Sequence, residues 1–491
     1  MGVIQKQSIR GTVYTYGGAV LGFIISGILF PNYLSTSQIG VINVVVSYST
    51  IFALLASLGF LSTTTKFFPF FRNKEKRHNG FIFLGSTVSF IGFLLTLCVF
   101  LLLKPIITRS GIGDNVLFEQ YTDLIIPLAF FILYFNFFDY INKDLFQATR
   151  GLFLRDFLMR ILIIGSTFLF AYNFVDFDDF TNLYVLVYSI PVIVLIFYLI
   201  VDGNFSLRPS RKFLNKSLVK NMISVSFFGI LTSSTGIITQ HIDRIMVKDL
   251  LNFSEAGIYT TCFFFGTLVA LPSRALIRIS SSVIADSFKQ GNLMLIKNIY
   301  SKSVLNQFII GLYLFIGIWV NIDSIFVILG EEFISGKWVI FLISIAFLTD
   351  MLSGTSSNII GNSAFYRFQS IFMTIMVAIV IVTNIIFIPL YGIVGAALSS
   401  LIAKLIFNLL KFFFLWKKLD LQPYDKKILI SVLIALITMI IGVIIPSNSY
   451  FIFDILIRSI AVSIIFGCSI YYSKVSVDIN KFILQLKEKL I

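Results

Sequence analysis

Residues 80–103, GFIFLGSTVSFIGFLLTLCVFLLL, contain no Asp, Glu, Lys or Arg. A bilayer core about 30 Å thick needs about 20 mostly apolar residues from each helix that crosses it. This stretch meets that length with a few residues to spare. It therefore predicts a transmembrane helix and sets the scale for interpreting the rest of the chain.

The composition of the whole chain matches this stretch. Of 491 residues, 57% are hydrophobic, 55 are Phe and only 13% are charged, whereas soluble domains carry about 25% charged residues. This excludes a soluble fold and a disordered chain. The chain has two histidines, and its three cysteines (Cys98, Cys262 and Cys468) lie inside apolar runs. The sequence therefore offers neither a metal site nor a disulfide framework, and we expect no cofactor.

Fourteen stretches are long and apolar enough to span a membrane. Spans 7 and 10 carry polar residues inside. The predicted spans are 11–33, 39–64, 80–103, 122–141, 155–174, 182–201, 221–246, 256–278, 303–322, 337–357, 369–389, 392–414, 428–446 and 451–472.

Lys and Arg are concentrated on one side of these spans. With the N-terminus inside, 26 of the 38 basic residues, Arg155 among them, fall in inward segments and four fall in outward loops. Because cytoplasmic loops are enriched in Lys and Arg, this split predicts that both termini are cytoplasmic. The net charge of +14 is then a membrane-orientation signal, and we expect membrane lipids rather than nucleic acid as its partner.

The loops are too short for an enzyme. The longest stretches outside the spans have about 20 residues, too few for a catalytic domain. Residues 330–338, GEEFISGKW, only approximate a phosphate-binding loop, since the glycines are one residue too far apart and Trp338 replaces Ser or Thr. The sequence therefore predicts a carrier or a channel-like scaffold that makes and breaks no bond.

A weak internal repeat relates two distant segments of the chain. STSQIGVIN at 35–43 aligns with NFSEAGIYT at 252–260, and each opens a predicted span. Six spans separate the copies, so the two lobes have the same orientation and are related by an axis along the membrane normal. We expect a six-helix lobe at 1–202, a basic cytoplasmic connector at 203–220, a second six-helix lobe at 221–415, and helices 13 and 14 with the tail at 416–491.

Four features together resemble one family of transporters. They are the turn with Gly40, the pair QHIDRIM (240–246) and EAGIY (255–259), the basic connector, and PLYGIVGAA at 389–397. The chain resembles the polysaccharide-export branch of the MOP (multidrug/oligosaccharidyl-lipid/polysaccharide) exporter superfamily. The resemblance implies an all-α fold of fourteen helices, a lipid-linked oligosaccharide as cargo, and a polysaccharide polymerase and chain-length regulator as partners. Lys248 and Asp249 depart from the family pattern and carry no predicted role.

Charged side chains inside an apolar span need a partner or a wet cavity. In span 7, Gln240, Asp243 and Arg244 share a broad helical face, which indicates either a cavity wall or hydrogen bonding between helices. Arg274 and Arg278 in span 8 are four residues apart and follow Pro272. Two guanidinium groups would suit a lipid pyrophosphate, although Arg278 is also placed to extend to the cytoplasmic headgroups.

Lys404 lies near the middle of span 12 with no charged residue within six positions, so we predict a partner or a cavity for it. Asp350 in span 10 is similarly deep and would pair with a cation or titrate. Asp139 in span 4 lies nearer the cytoplasm, where an ion pair with an inner-end cation is the simpler interpretation. His241 is a candidate proton carrier or a local hydrogen-bonding group.

The function predicted is a flippase for an undecaprenyl-pyrophosphate-linked oligosaccharide in the bacterial cytoplasmic membrane, serving synthesis of a surface polysaccharide. Arg274, Lys404, Arg244, Asp243, Gln240 and Arg278 would line a cationic cavity that opens alternately to each side. Asp350, Asp139 and His241 are candidates for ion coupling. An ion-coupled multidrug exporter and a lipid II flippase on the same fold remain open as alternatives.

Overall fold

The computed structural model describes residues 3–109, 115–210, 213–446, 450–481 and 484. Within these ranges the regular structure is helical and contains no strand, which confirms the predicted all-α class. The side chains of Arg274 and Arg278 lie outside the described part.

Twenty α-helices make up this part of the chain. Short π-helical or 3-10 turns connect several of them. The helices are α1 Val3–Phe23, α2 Phe30–Tyr33, α3 Thr36–Ala56, α4 Phe60–Phe71, α5 Phe81–Arg109, α6 Asn115–Thr122, α7 Ile125–Asp144, α8 Ala148–Phe153, α9 Met159–Ala171, α10 Phe177–Val201, α11 Lys216–Leu250, α12 Phe253–Thr267, α13 Leu271–Lys289, α14 Leu293–Val320, α15 Ile322–Leu329, α16 Lys337–Ser353, α17 Ser356–Asn362, α18 Arg367–Leu419, α19 Lys426–Ile444 and α20 Phe451–Tyr472.

Twelve helical segments in the described ranges are long and apolar enough to cross a membrane. The chain is thus a multi-pass membrane protein, and the difference from the fourteen predicted spans has two local causes. One is α18, whose 53 residues would extend about 80 Å if straight. The helix is interrupted at Gly392, where φ is 59° and ψ is −141°. A Cβ on Gly395 would lie 2.0 Å from the Phe387 carbonyl oxygen, so the chain reverses between predicted spans 11 and 12.

The second cause is predicted span 5. The helical stretch there continues from α8 through a π-helical turn at Leu154–Leu158 into α9. It carries Arg155, Asp156 and Arg160, and these three charges make it less apolar than the twelve segments that qualify as spans. The total of fourteen membrane crossings stays a prediction.

The chain divides into two compact units, Met1–Gly257 and Ile258–Ile491. In the first unit, α11 packs along α3 and α4, and Thr63 Oγ1 lies 2.8 Å from Ser226 Oγ at this interface. A core of phenylalanine side chains joins α4, α5 and α7. The lobe boundary that the sequence placed in the connector 203–220 stays a prediction.

In the second unit α16 packs along α18, and α14 packs against α16, α19 and α20. The Arg458 guanidinium of α20 forms a 3.0 Å ion pair with Asp454 and donates to the Val320 carbonyl oxygen at 2.8 Å. The Ser324 hydroxyl donates to the same carboxylate at 2.7 Å. This buried polar cluster attaches the last helix to α14 and α15.

The two repeat segments open helices in the same way and contact each other. Ser35 Oγ accepts a 3.2 Å bond from the backbone N–H of Gln38. Asn252 Oδ1, at the equivalent position of the second copy, accepts one from the backbone N–H of Glu255 at 2.8 Å. Each repeat motif is therefore a helix N-cap.

The contact between the segments is reciprocal. A Cβ on Gly40 would lie 1.9 Å from the Phe253 carbonyl oxygen, and a Cβ on Gly257 would lie 2.0 Å from the Thr36 carbonyl oxygen. The alignment that matches Gly40 with Gly257 also matches Thr36 with Phe253. Such exchange of equivalent contacts is the signature of a local twofold relation.

Candidate functional site

The centre of the candidate site is an ion pair between α16 and α18. Lys404 Nζ lies 2.5 Å from Asp350 Oδ2, so the structure brings together two of the residues that the sequence singled out. The Asn408 amide donates to the other carboxylate oxygen of Asp350 at 2.9 Å and to Thr349 Oγ1 at 3.1 Å. The Lys404 ammonium also lies 4.2 Å from the centre of the Phe347 ring, within range of a cation–π contact.

This arrangement follows from helical periodicity. Lys404 and Asn408 are one turn apart on α18, so both side chains face α16. Asp350 lies near the end of α16, four residues before the turn at Gly354. Its side chain is 34% exposed, compared with 16% for Lys404. The Asp350 side chain is therefore partly exposed, while that of Lys404 is mostly enclosed.

A second lysine continues this face and was missed by the sequence analysis. Lys411 is only 4% exposed, and its ammonium lies 3.2 Å from Ser357 Oγ and 4.2 Å from the centre of the Phe407 ring. Its spacing of seven residues from Lys404 places both on one side of α18. That spacing is present in the sequence, but the prediction for Lys404 considered only charged residues within six positions of it.

The cluster Asp350, Lys404, Asn408 and Lys411, with Thr349 and Ser357 at its edge, is called the α18 cluster below. Its formal charge is +1, since two ammonium groups face one carboxylate. Among the described residues no carboxylate forms an ion pair with Lys411. A buried cation without a carboxylate partner is costly in an apolar environment, and an anionic ligand would reduce that cost.

The predicted residues of span 7 lie in the other unit, on α11. His241 Nδ1 lies 3.1 Å from Ser47 Oγ on α3, a hydrogen bond between adjacent helices. Asp243 is 3% exposed, Arg244 is half-buried and Gln240 is exposed. The four residues therefore occupy different environments, and the cavity wall expected here stays a prediction.

Asp139 is buried against α8. Its Oδ2 lies 2.6 Å from Lys143 Nζ, one turn along α7, so it has the ion pair that its position suggested. Its Oδ1 closely approaches Gly151, where a Cβ would lie 1.7 Å from that oxygen. Ion coupling through Asp139 stays a prediction.

Arg274 and Arg278 belong to α13, and their side chains lie outside the described part of the structure. The helical backbone is interrupted just before them, next to Pro272. α12 ends at Thr267, a 3-10 turn covers Leu268–Ala270, and α13 begins at Leu271. Proline fits this position because the first turn of a helix leaves its N–H groups unpaired.

In the described ranges, no group of three or more His, Cys, Asp or Glu residues is placed to hold a metal ion. The chemistry available to the α18 cluster is therefore that of ammonium, amide, hydroxyl and carboxylate groups.

Comparison with known proteins identifies the family. A family model described as polysaccharide biosynthesis protein matches residues 6–284. An uncharacterized membrane protein of Methanocaldococcus jannaschii is 20% identical in an alignment of 439 residues, and the match covers 84% of each chain.

Solved structures of transporters share the fold. The lipid II flippase MurJ in an inward closed conformation superposes with a TM-score of 0.73 at 15% identity, covering 95% of this chain and 100% of that one. An inward-facing multidrug resistance MATE family transporter of the MOP superfamily gives a TM-score of 0.64 at 15% identity, covering 86% and 98%. Because the family model covers more than half of the sequence, the chain belongs to the polysaccharide biosynthesis protein family.

Proposed function

We propose that the chain is a flippase that carries an oligosaccharide linked to undecaprenyl pyrophosphate across a bacterial cytoplasmic membrane. The observation that supports this most directly is the charge of the α18 cluster. Lys404 and Lys411 face Asp350 within an apolar helix pair, which leaves one positive charge without a carboxylate. A pyrophosphate group is the part of such a cargo that would supply the missing negative charge.

The proposed cycle rests on the ion pair between Lys404 and Asp350. With no cargo present, Asp350 accepts from the Lys404 ammonium at 2.5 Å and neutralises it. An arriving pyrophosphate would compete with this carboxylate for the same ammonium, and its departure would restore the pair. The site then binds an anion strongly enough to load it and weakly enough to release it.

The rest of the proposal follows the family pattern. The chain would have fourteen membrane crossings, cytoplasmic termini and two six-helix lobes that alternate access to a central cavity. It makes and breaks no bond, and it would supply a polysaccharide polymerase and a chain-length regulator. The proposed cavity residues are Lys404, Arg244, Asp243, Gln240, Arg274 and Arg278, and those for ion coupling are Asp350, Asp139 and His241.

Deletion of the protein tests the function. Cells without it are expected to accumulate lipid-linked repeat units on the cytoplasmic leaflet. Normal delivery to the outer leaflet in a clean deletion would refute the proposal.

Substitution of Lys411 tests the site. Removing a charge-assisted contact costs about 1.5–3 kcal/mol, so transport of a lipid-linked oligosaccharide into proteoliposomes should fall about tenfold or more in Lys411→Met. Lys418→Met is the matched control, because Lys418 lies on the same helix and is exposed. Equal transport by both variants would remove Lys411 from the site.

Two alternatives remain on the same fold. A lipid II flippase, as the likeness to MurJ suggests, would rescue cells depleted of their essential flippase, whereas the proposed protein would not. An exporter of cationic drugs would protect a sensitive host, but the positive charge of the α18 cluster disfavours a cationic cargo.

A further inference from the structure

The first unit contains a cavity that is separate from the α18 cluster. It has a volume of about 200 Å³ and lies among α3, α7, α9 and α10. Thr50, Asn136, Arg155 and Tyr188 provide its polar groups, and Val46, Ile132, Phe135, Met159 and Pro191 provide its apolar wall. All of these residues belong to the unit Met1–Gly257.

Arg155 is the first residue of predicted span 5 and was counted with the inward charges. It lies in the π-helical turn Leu154–Leu158, within the helical stretch that continues into α9. A π-helical turn changes the direction in which side chains leave the helix, and such turns are frequent at functional sites. Here the turn allows Arg155 to line the cavity.

The polar groups of the cavity have unused hydrogen-bonding capacity. Asn136, which is half-buried, makes no side-chain hydrogen bond with any other described residue. The Arg155 Nε donates to Asp156 Oδ1 at 3.2 Å, and no other described acceptor takes a bond from its guanidinium. An amide with donors and an acceptor thus faces a guanidinium with further donors.

The polar edge of the cavity continues along α10. The Tyr188 hydroxyl lies 3.5 Å from the Tyr184 hydroxyl, one turn earlier on the same helix.

The size and chemistry of the cavity select a class of ligand. A cavity of about 150 Å³ accommodates benzene, so this one accommodates a six-membered ring, and it is smaller than the roughly 300–1,000 Å³ of sites for larger molecules. A purely apolar ligand would leave Asn136 unpaired, which costs about 1–3 kcal/mol. A cation would find no carboxylate in the cavity lining, and the guanidinium of Arg155 is already paired with Asp156. A sugar has hydroxyl groups for the amide and guanidinium and an apolar ring face for Phe135.

We propose that this cavity is a subsite for one sugar ring of the cargo. The proposal rests on the proposed function, since it assumes a sugar-bearing lipid as substrate. It adds a binding site at which the protein distinguishes a glycosylated lipid from the same lipid without sugar. The α18 cluster, by contrast, would recognise the pyrophosphate that both lipids share.

The test compares two lipids on the purified full-length protein in nanodiscs. The affinities of undecaprenyl-pyrophosphate-linked oligosaccharide and of undecaprenyl pyrophosphate without sugar are measured for the native protein, Asn136→Leu and Val46→Phe. Asn136→Leu removes the unpaired amide, and Val46→Phe narrows the cavity from α3 without removing a polar group. Asn182→Leu is the control, because Asn182 is an exposed asparagine on α10 outside the cavity.

The native protein and the control should bind the sugar-bearing lipid more tightly than the bare lipid. In both cavity variants the ratio of the two affinities should fall about tenfold, while the affinity for the bare lipid stays within twofold of the native value. An unchanged preference in both variants would overturn the proposal and leave ordered water as the occupant. Equal losses for both lipids would also overturn it. If the native protein binds neither lipid, the proposed function itself fails and the sugar subsite fails with it.

Discussion

Gly40 and Gly257 allow a single methyl group to test the reciprocal contact between the two repeat segments. An added Cβ would lie 1.9 Å from the Phe253 carbonyl oxygen in one case and 2.0 Å from the Thr36 carbonyl oxygen in the other. A backbone oxygen cannot rotate aside as a flexible side chain does. Alanine at either position therefore requires α3 and α12 to separate by about 1 Å.

The expected cost follows from two opposing effects. Overpacking of a tight contact costs about 1–3 kcal/mol, whereas alanine in a helix is about 0.5–1 kcal/mol more favourable than glycine. We therefore expect Gly40→Ala and Gly257→Ala each to lower the free energy of unfolding by about 1–2 kcal/mol. Because one separation of the helices relieves both clashes, the double variant should lose less than the sum of the two.

The measurement is the unfolding of the purified protein in mixed micelles, followed by helicity during denaturant titration. Gly165→Ala in α9 is the control, since a Cβ there would meet no atom within 4 Å, and it should be neutral or slightly stabilising. If Gly40→Ala is as stable as the control, the close approach of the repeats is wrong. Strictly additive costs in the double variant would show that the two contacts are independent.

Three further predictions concern other features of the structure. Asp454→Ala should lower the free energy of unfolding by about 3–5 kcal/mol because it leaves a buried guanidinium without its carboxylate. Asp323→Ala removes an ion pair whose carboxylate is 80% exposed, so it should lower that free energy by at most about 1 kcal/mol. Chemical unfolding measures both values, and equal values would contradict the burial of the first pair. Gly392→Ala should lower the free energy of unfolding by about 1–3 kcal/mol, since φ of 59° with ψ of −141° is a conformation that glycine adopts readily and alanine does not. A thermal unfolding midpoint equal to that of the native protein would argue against the turn. Lys404→Met should abolish most transport, as measured in proteoliposomes. Adding Asp350→Asn to this variant should recover stability but not transport. Restored transport would mean that Lys404 serves only to neutralise its partner.

Several parts of the candidate site were predictable from sequence, and others were not. Lys404 and Asp350 were singled out individually, because an isolated charge in an apolar span requires an explanation. Their mutual contact was not predicted, since they lie on different helices and the rotation of each helix decides which side chains face each other. The position of Lys411 on the same face as Lys404 was predictable from their seven-residue spacing. The position of Arg155 at a cavity was not, because a π-helical turn changes the side-chain register without a distinctive sequence.

The membrane class, the all-helical fold and the motif that begins each repeat were determined by the sequence alone. The physical reason is that a bilayer imposes a minimum apolar length on every crossing, and an N-cap needs only its own few residues. The tertiary structure decided which polar groups meet. The ion pair on α18, the reciprocal glycine contacts and the cavity beside Asn136 each depend on the rotation and depth of helices from distant parts of the chain, and no local stretch of sequence records those quantities.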